Sequence, residues 1–332
     1  MNMINESIFE IMEQDILNTN LAEKEKNVLL RNLFKLKSQK INIMIVGATG
    51  CGKSSTINAL FGNEVSSVGV GVDPETIEIS KYELGNLILW DTPGLGYGKE
   101  ADEIHSDNII NKLREVNLKG KPLIDLVLVI LDASSRDLGT SYQLINNIII
   151  PNLGINRENG ILVALNQADL AMKGHYWNYE KNEPQEQLKD FLDRKIISVK
   201  NRIQEGTGVI INPIYYSAGF KEQGRIQNKP YNLSKLLYFI IKSTPREKRL
   251  VYVEKINSDS SAWVNNDNKK NYSSEIRTSF LDTVAEYAMD GGNIGIEIGA
   301  IFGKTGEVIG KTIGTVAGSV IGGIKSIFSK LF

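Results

Sequence analysis

One eight-residue pattern constrains this chain more than any other feature. Its residues are Gly47, Ala48, Thr49, Gly50, Cys51, Gly52, Lys53 and Ser54. The apolar run Ile41–Val46 precedes it, and a helical pattern over 55–61 follows it. This strand–loop–helix context is typical of a phosphate-binding loop, because the glycines let backbone N–H groups converge on an anion and the helix N-terminus attracts it. We therefore predict that Lys53 reaches the β- and γ-phosphates of a nucleotide, that the Ser54 hydroxyl binds Mg²⁺, and that Ser55 adjoins the site.

A second motif, Asp91-Thr92-Pro93-Gly94, follows a predicted β-hairpin with strands over 76–84 and 87–90. A carboxylate at the end of a strand is placed to hold Mg²⁺ through water. A glycine at Gly94 offers its backbone N–H to a γ-phosphate. The pattern is weak alone, but its position after a phosphate-binding loop makes it informative.

A third motif, Asn166-Gln167-Ala168-Asp169, follows the apolar run 160–165. The Asp169 carboxylate is suited to accept hydrogen bonds from N1–H and the exocyclic amine of guanine. Adenine has no such donor pair, so the motif argues against an ATP-binding chain. Ser217-Ala218 follows the last predicted strand, over 209–216, and would direct a backbone N–H to guanine O6. The predicted ligands are GTP or GDP and Mg²⁺.

These motifs, in this order and each at a strand end, resemble those of TRAFAC-class P-loop GTPases of the Era, septin and dynamin-like branch. The resemblance covers 41–242, and the run 166–174 is similar to small bacterial Era-like proteins of the HSR1-related, ribosome-binding type. It implies the roles given above for Lys53, Ser54, Asp91, Gly94, Asn166 and Asp169. It also implies a switch threonine that binds Mg²⁺ and the γ-phosphate, for which Thr76 is the candidate. The catalytic set would then be Lys53, Thr76 and Gly94.

Three positions depart from this family pattern. Gln167 stands where relatives have a lysine whose stem covers the base, which predicts weaker base binding. Leu95 stands where Ras-like members have the glutamine that orients the attacking water. Gly50 stands where potassium-dependent relatives have an asparagine. We therefore expect slow hydrolysis, or a water-positioning group supplied by a partner or by a second copy of the chain.

The predicted fold is α/β, a mostly parallel sheet with helices on both faces and an antiparallel edge from the hairpin. Helical patterns precede and follow this G domain. The expected division is a helical extension over 1–38, the G domain over 39–245, and a helical C-terminal region over 246–332.

The C-terminal region contains a glycine-rich segment, 291–323, in which glycine recurs at every fourth residue over long stretches. Glycines at this spacing share one helix face and permit close helix packing. Two interpretations remain open: the segment associates with a membrane, or it packs on protein or a second copy. Charged residues argue against a mid-bilayer position; they are Glu297, Lys304, Glu307 and Lys311.

The composition of the chain excludes few classes of function. The net charge is -1, from 38 basic and 39 acidic residues, and we see no nucleic-acid-binding module. Cys51 is the single cysteine, so no internal disulfide forms, as in reducing compartments. We expect a cytoplasmic protein, with peripheral membrane attachment as the alternative.

Two hypotheses for function follow. In the first, the chain is a slow GTPase that acts as a nucleotide-dependent switch and forms homo-oligomers through the G domain or the glycine-rich segment. In the second, it is a GTP-dependent module for assembly or membrane recruitment, with negligible turnover.

Overall fold

The computed structural model describes residues 7–18, 20–62, 79–94, 98–154, 158–219 and 229–289. Thr76, Leu95 and the glycine-rich segment 291–323 lie outside these ranges. The predictions made for them therefore stay predictions.

A six-stranded sheet forms the centre of the fold, with strand order β2-β3-β1-β4-β5-β8. Only β2 runs antiparallel to its neighbour, and the other pairings are parallel. This confirms the predicted α/β sheet with one antiparallel edge. The strands are β1 (Ile41–Val46), β2 (Ser80–Leu84), β3 (Leu87–Asp91), β4 (Leu126–Asp132), β5 (Ile161–Asn166) and β8 (Ile214–Tyr215), while β6 (Trp177–Asn178) and β7 (Glu183–Pro184) form a separate hairpin.

Helices cover both faces of this sheet, so β1 and β5 are buried along their whole lengths. The helices are α1 (Ile8–Leu17), α2 (Glu23–Lys37), α3 (Lys53–Phe61), α4 (Lys99–Arg114), α5 (Gly139–Gln143), α6 (Ile150–Asn152), α7 (Glu186–Thr207), α8 (Leu233–Ser243) and α9 (Tyr272–Met289). A π-helical segment, Leu144–Ile149, joins α5 to α6. One hydrophobic core contains residues of α1, α2, α3, α8 and α9, and the other contains residues of α4, α7 and the α5–α6 segment.

The last strand is much shorter than predicted. The sequence indicated a strand over 209–216, but β8 contains only Ile214–Tyr215. Pro213 has no N–H to donate to a sheet, and Ile210 is 49 % exposed. Val209 and Ile211 are nevertheless buried in the core beside α7. Their burial accounts for the apolar pattern without a strand.

The chain after Pro245 continues the same hydrophobic core. Leu250, Tyr252 and Phe280 are buried with residues of β1 and α8. The division predicted near Pro245 therefore coincides with a change of sequence pattern and not with a gap in packing. In the described part of the chain, no helix is both long and apolar enough to cross a bilayer.

A buried ion pair connects this C-terminal segment to the sheet. The Lys248 ammonium donates to Asp125 Oδ1 at 2.5 Å, and the Asn42 N–H donates to Asp125 Oδ2 at 2.9 Å. The Asp125 side chain is only 9 % exposed. Burial raises the pKa of Asp125, and the bond from Lys248 opposes that rise.

We expect Lys248→Ala to lower the free energy of unfolding by about 3 kcal/mol, because it leaves a buried carboxylate without its partner. Urea denaturation at neutral pH measures this loss. At acid pH the carboxyl is protonated and the loss should shrink. Lys81→Ala is the matched control, because its partner Glu83 is exposed, and it should cost less than about 1 kcal/mol. If both substitutions cause equally small losses of unfolding free energy, the Lys248–Asp125 pair does not hold the C-terminal segment on the sheet.

Candidate functional site

The predicted motifs meet at one edge of the sheet. β1 lies between β3 and β4, parallel to both. The carboxyl ends of these strands therefore point the same way, and the loop after β1 leaves at the point where the strand order reverses. Register places Asp91 beside Ile45 and Asn166 beside Asp132. Ligands of open α/β sheets bind in such a crevice.

Two glycines of the phosphate-binding loop are required by close contacts. A Cβ on Gly47 would lie 2.3 Å from Ile130 O, and one on Gly52 would lie 2.2 Å from Asn166 Nδ2. Gly50 and Gly52 have φ values of 77° and 88°, a left-handed conformation that favours glycine. The loop can therefore curl tightly enough to present its N–H groups to an anion.

Helix α3 begins at Lys53, directly after this loop, and no side chain caps its N-terminus. Its first N–H groups are therefore not occupied by a capping side chain, and its dipole favours an anion there. The Lys53 ammonium lies at the loop, donating to Gly47 O at 3.2 Å and Ala48 O at 3.4 Å. Lys53 is thus at the position that the motif predicts.

Cys51 has a packing role within the loop. Its side chain is 1 % exposed, and burial raises the pKa of the thiol to about 11. The thiol therefore stays protonated at neutral pH and is a poor nucleophile.

The motif after β3 contacts the phosphate-binding loop. Thr92 is buried, and both its N–H and its hydroxyl donate to Ile45 O, at 3.1 and 3.0 Å. A Cβ on Gly94 would lie 2.2 Å from Thr49 Oγ1 and 2.6 Å from Thr49 N. Only glycine permits this approach of the two loops.

Asn166 joins the phosphate-binding loop to the loop after β8. Its Nδ2 donates to Cys51 O at 2.9 Å, and its Oδ1 accepts the Ala218 N–H at 2.9 Å. The side chain is 2 % exposed, so both bonds are protected from water. Asn166 therefore acts as a structural connection between parts of the site.

Gln167 also reaches the phosphate-binding loop. Its Nε2 donates to Gly50 O at 2.8 Å, and its backbone is left-handed, with φ 61°. The amide therefore makes a polar contact across the site although it lacks the charge of the lysine found in relatives.

Asp169 is the guanine-selecting candidate, and it is 7 % exposed. Burial raises the pKa of its carboxyl, and a hydrogen bond from the Ser217 side chain opposes this rise. The ionised form is stabilised further when donors such as guanine N1–H and the exocyclic amine approach. The structure thus brings Asp169 and Ser217 together, and the contact of Asp169 with guanine stays a prediction.

The backbone donors expected for guanine O6 are engaged within the protein. Ser217 N donates to Tyr231 O at 3.0 Å, and Ala218 N donates to Asn166 Oδ1. The Gly219 N–H donates to Ser217 Oγ at 3.3 Å. The predicted O6 contact from 217–218 therefore requires a shift of this loop from the described arrangement.

One supporting contact was not found by sequence reasoning. The Thr56 and Tyr216 hydroxyls lie 2.6 Å apart in the core, where α3 meets the end of the sheet. Both side chains are fully buried. The signal available in the sequence was Thr56, a polar residue on the inner face of α3, but its partner lies 160 residues away.

The oxygen donors of the site fit Mg²⁺. Ser54 lies in the first turn of α3 and Asp91 ends β3, and both are half-buried. A hydroxyl and a carboxylate beside a phosphate site are the hard ligands that Mg²⁺ takes. Among the residues that the structure describes, no three His, Cys, Asp or Glu side chains cluster as a metal site. Thr76, the other predicted Mg²⁺ ligand, lies outside the described residues, so its contact with the ion stays a prediction.

We expect Asn166→Ala to lower the free energy of unfolding by about 2–4 kcal/mol, because two buried hydrogen bonds lose their partner. Asn117→Ala is the control, since the Asn117 side chain also makes two hydrogen bonds, accepting both, but in a surface turn; its loss should cost about 1 kcal/mol or less. Urea denaturation compares the two. If Asn166→Ala lowers the free energy of unfolding no more than Asn117→Ala does, the structural role of Asn166 is contradicted.

Comparison with known proteins agrees with this geometry. Residues 42–167 match the protein-family model described as 50S ribosome-binding GTPase. Translocase of chloroplast 108 from Physcomitrium patens is 36 % identical over 102 residues, which cover 29 % of this chain and 10 % of that protein. GTPase Der from Orientia tsutsugamushi is 28 % identical over 216 residues, covering 61 % and 41 %. The chain thus spans a minor part of either relative.

A solved structure of Toc33 from Arabidopsis thaliana, in complex with GDP and Mg²⁺, has 19 % identity and a TM-score of 0.41. The superposition covers 66 % of this chain and 86 % of that one. The family match starts in β1 and ends in the guanine motif, so it contains the phosphate-binding loop and the motif after β3. Over these residues the chain is therefore similar to the G domain of P-loop GTPases.

Proposed function

We propose that this protein binds GTP with Mg²⁺, hydrolyses it slowly to GDP and phosphate, and uses the reaction as a conformational switch. The observation that supports this best is the Asn166 side chain, which joins the phosphate-binding loop to the loop containing Ser217, the hydrogen-bond partner of Asp169. These contacts would hold a phosphate site and a guanine-selecting carboxylate at one edge of the sheet.

The residues of the site have separate roles in this proposal. Lys53 and the N-terminus of α3 offset the negative charge of the phosphates. Ser54 and Asp91 hold Mg²⁺, which when bound neutralises charge on the β- and γ-phosphates. Asp169 positions the base and so fixes the γ-phosphate relative to the loop.

Gly94 supports the switch. Its backbone lies directly against Thr49 of the phosphate-binding loop, so a γ-phosphate at the loop would meet the Gly94 N–H. We assign the second switch contact to Thr76, in the segment between α3 and β2. Loss of the γ-phosphate would release both contacts, which is the usual order–disorder mechanism of nucleotide switches.

Leu95 supports the slow rate, because a leucine side chain can neither orient nor deprotonate water. A second candidate function rests on the same residue: a GTP-dependent assembly or membrane-recruitment module with negligible turnover. In either case we place the protein in the cytoplasm, with assembly through the G domain or the segment 291–323 and attachment at a membrane surface as further proposals.

The deciding experiment is single-turnover GTP hydrolysis by the purified chain at increasing protein concentration, with and without liposomes. Lys53→Ala is the inactive control. A rate per molecule that rises with concentration or lipid supports a catalytic group supplied by assembly. Measurable GTP binding with no hydrolysis under every condition supports the recruitment module, and absence of GTP binding rejects both.

We expect Asp169→Asn to weaken GTP binding by at least about 100-fold, because two hydrogen bonds to a charged carboxylate are replaced. Binding of ATP should remain equally weak in both proteins. Asp190→Asn removes an exposed carboxylate elsewhere and should leave GTP affinity unchanged. Fluorescent-nucleotide titration measures the affinities; equal effects of the two substitutions would contradict the role of Asp169.

We expect affinity for GDP to fall on acidification, starting at a higher pH than an ordinary aspartate of pKa about 3.9 would cause. Burial raises the pKa of Asp169, and the protonated group loses much of its power to accept from guanine. The folding stability of the nucleotide-free protein depends on pH in the opposite direction. The contribution of Asp169 to this stability is present at low pH and is lost as the pH rises through the raised pKa.

The measurement is GDP affinity from pH 4 to pH 8, about the range over which a raised carboxyl pKa would titrate. Asp190→Asn should keep the wild-type profile, while Asp169→Asn should lose this pH dependence. A wild-type profile that is flat across the range would contradict a raised pKa at the base.

A further inference from the structure

A cavity of about 510 Å³ lies between α7 and the chain that follows β4. This volume is within the range of small-molecule sites. The cavity is lined by the loop at Arg136, by Tyr142 of α5, and by Phe191, Arg194, Lys195 and Arg202 of α7. None of these residues belongs to the nucleotide site.

The lining is strongly basic. The lining contains four basic side chains and one acidic residue, Asp137, and Asp132 lies near enough to Lys195 to interact with its charge. The Asp137 carboxylate accepts the Gly139 N–H at 2.8 Å, so its charge is partly used at the start of α5. Within the described ranges no ion pair involves the four basic residues. The cavity therefore has an excess of positive charge that an anion would balance.

Two of the cations lie beside aromatic rings. The Arg202 guanidinium is 5.4 Å from the centre of the Tyr142 ring, and the Lys195 ammonium is 5.9 Å from that of Phe191. Both rings are half-buried. The cavity thus combines charged donors with apolar walls, which suits an anion attached to an organic skeleton.

The walls are held by contacts within the protein. Lys195 Nζ donates to Ala133 O at 2.7 Å and to Ser135 O, and the Ala133 N–H donates to Asn166 O at 2.8 Å. Where α7 meets the π-helical segment, a Cβ on Gly206 would lie 2.3 Å from Asn146 Nδ2. The helices are close together there, so the cavity is a preformed wedge.

We propose that this cavity binds a phosphate-bearing ligand, whose phosphate contacts Arg194, Arg202 and Arg136 and whose organic part lies on Tyr142 and Phe191. Arginine is favoured for this chemistry because its planar guanidinium donates in pairs to phosphate oxygens. Two or more negative charges on the ligand match the excess charge of the lining. The ligand is either a soluble phosphorylated compound or the phosphate headgroup of a lipid.

The test is calorimetric titration of the full chain with inorganic pyrophosphate, with the nucleotide site saturated by GDP and Mg²⁺ matched in cell and syringe. We expect saturable binding that Arg194→Gln combined with Arg202→Gln weakens by at least about tenfold. Lys189→Gln combined with Lys200→Gln is the matched control, because it removes the same charge from α7 outside the cavity. It should change the affinity by less than about twofold.

Absence of saturable pyrophosphate binding would overturn the proposal, as would equal losses in the two double variants. GDP affinity and the thermal unfolding profile verify that each variant is folded. If the Arg194/Arg202 variant does not fold, Arg136→Gln in the exposed loop replaces it, and an unchanged affinity there overturns the proposal. The same titration in Lys53→Ala excludes pyrophosphate binding at the phosphate-binding loop, since binding to the cavity persists in that variant.

Co-sedimentation with phosphatidylcholine vesicles, with and without phosphatidic acid, distinguishes a lipid headgroup from a soluble phosphorylated ligand. Binding that needs phosphatidic acid, is competed by pyrophosphate and is lost in the Arg194/Arg202 variant identifies a lipid headgroup. Pyrophosphate binding without vesicle binding identifies a soluble phosphorylated ligand. Both sets of results depend on the cavity and are separate from GTP hydrolysis.

Discussion

The buried amide of Asn166 is the interaction on which the candidate site depends. It joins two loops separated from it by 115 and 52 residues, and neither loop has regular structure to fix its own position. The amide can make both bonds only because β5 lies in register beside β4, which in turn pairs with β1. Gly52 must lack a side chain for the same reason, since its Cβ would overlap Asn166 Nδ2. The geometry of the phosphate-binding loop is therefore set by the whole sheet.

The chain beyond Pro245 contributes to the same site from the opposite end of α3. The Asn257 N–H donates to Leu60 O at 2.9 Å, and its Nδ2 donates to Ala59 O at 3.0 Å. Helix ends leave carbonyl groups without intrahelical partners, and here a residue distant in sequence satisfies two of them. Trp263 Nε1 donates to Asn257 O at 2.9 Å and holds that residue in place. The helix that would bind phosphate at its N-terminus is thus supported at its C-terminus by the C-terminal region.

The sequence pattern predicted those helices and strands whose structure depends mainly on residues close together in the chain. Apolar runs located β1, β3 and β5, and the helical pattern after the phosphate-binding loop located α3, each to within a few residues. The described motif residues lie at the carboxyl ends of these strands. The shortness of β8 was not predicted, because burial of Val209 and Ile211 against α7 produces the same apolar pattern as a strand. The contacts of Thr56 with Tyr216 and of Asn257 with α3 were not predictable from pattern, since their partners come from distant parts of the chain.

Gln167 shows how a departure from a family motif can keep part of its function. In the family pattern given above a lysine stem covers the base, whereas the Gln167 amide donates to Gly50 O of the phosphate-binding loop. A contact between the two loops is therefore present although the side chain is shorter and uncharged. In the described part of the site, Lys53 is then the basic side chain that lies on the loop itself. Under the proposed function, discrimination of a triphosphate from a diphosphate would depend on Lys53, on Mg²⁺ and on the Gly94 backbone, which lies against Thr49 of the loop.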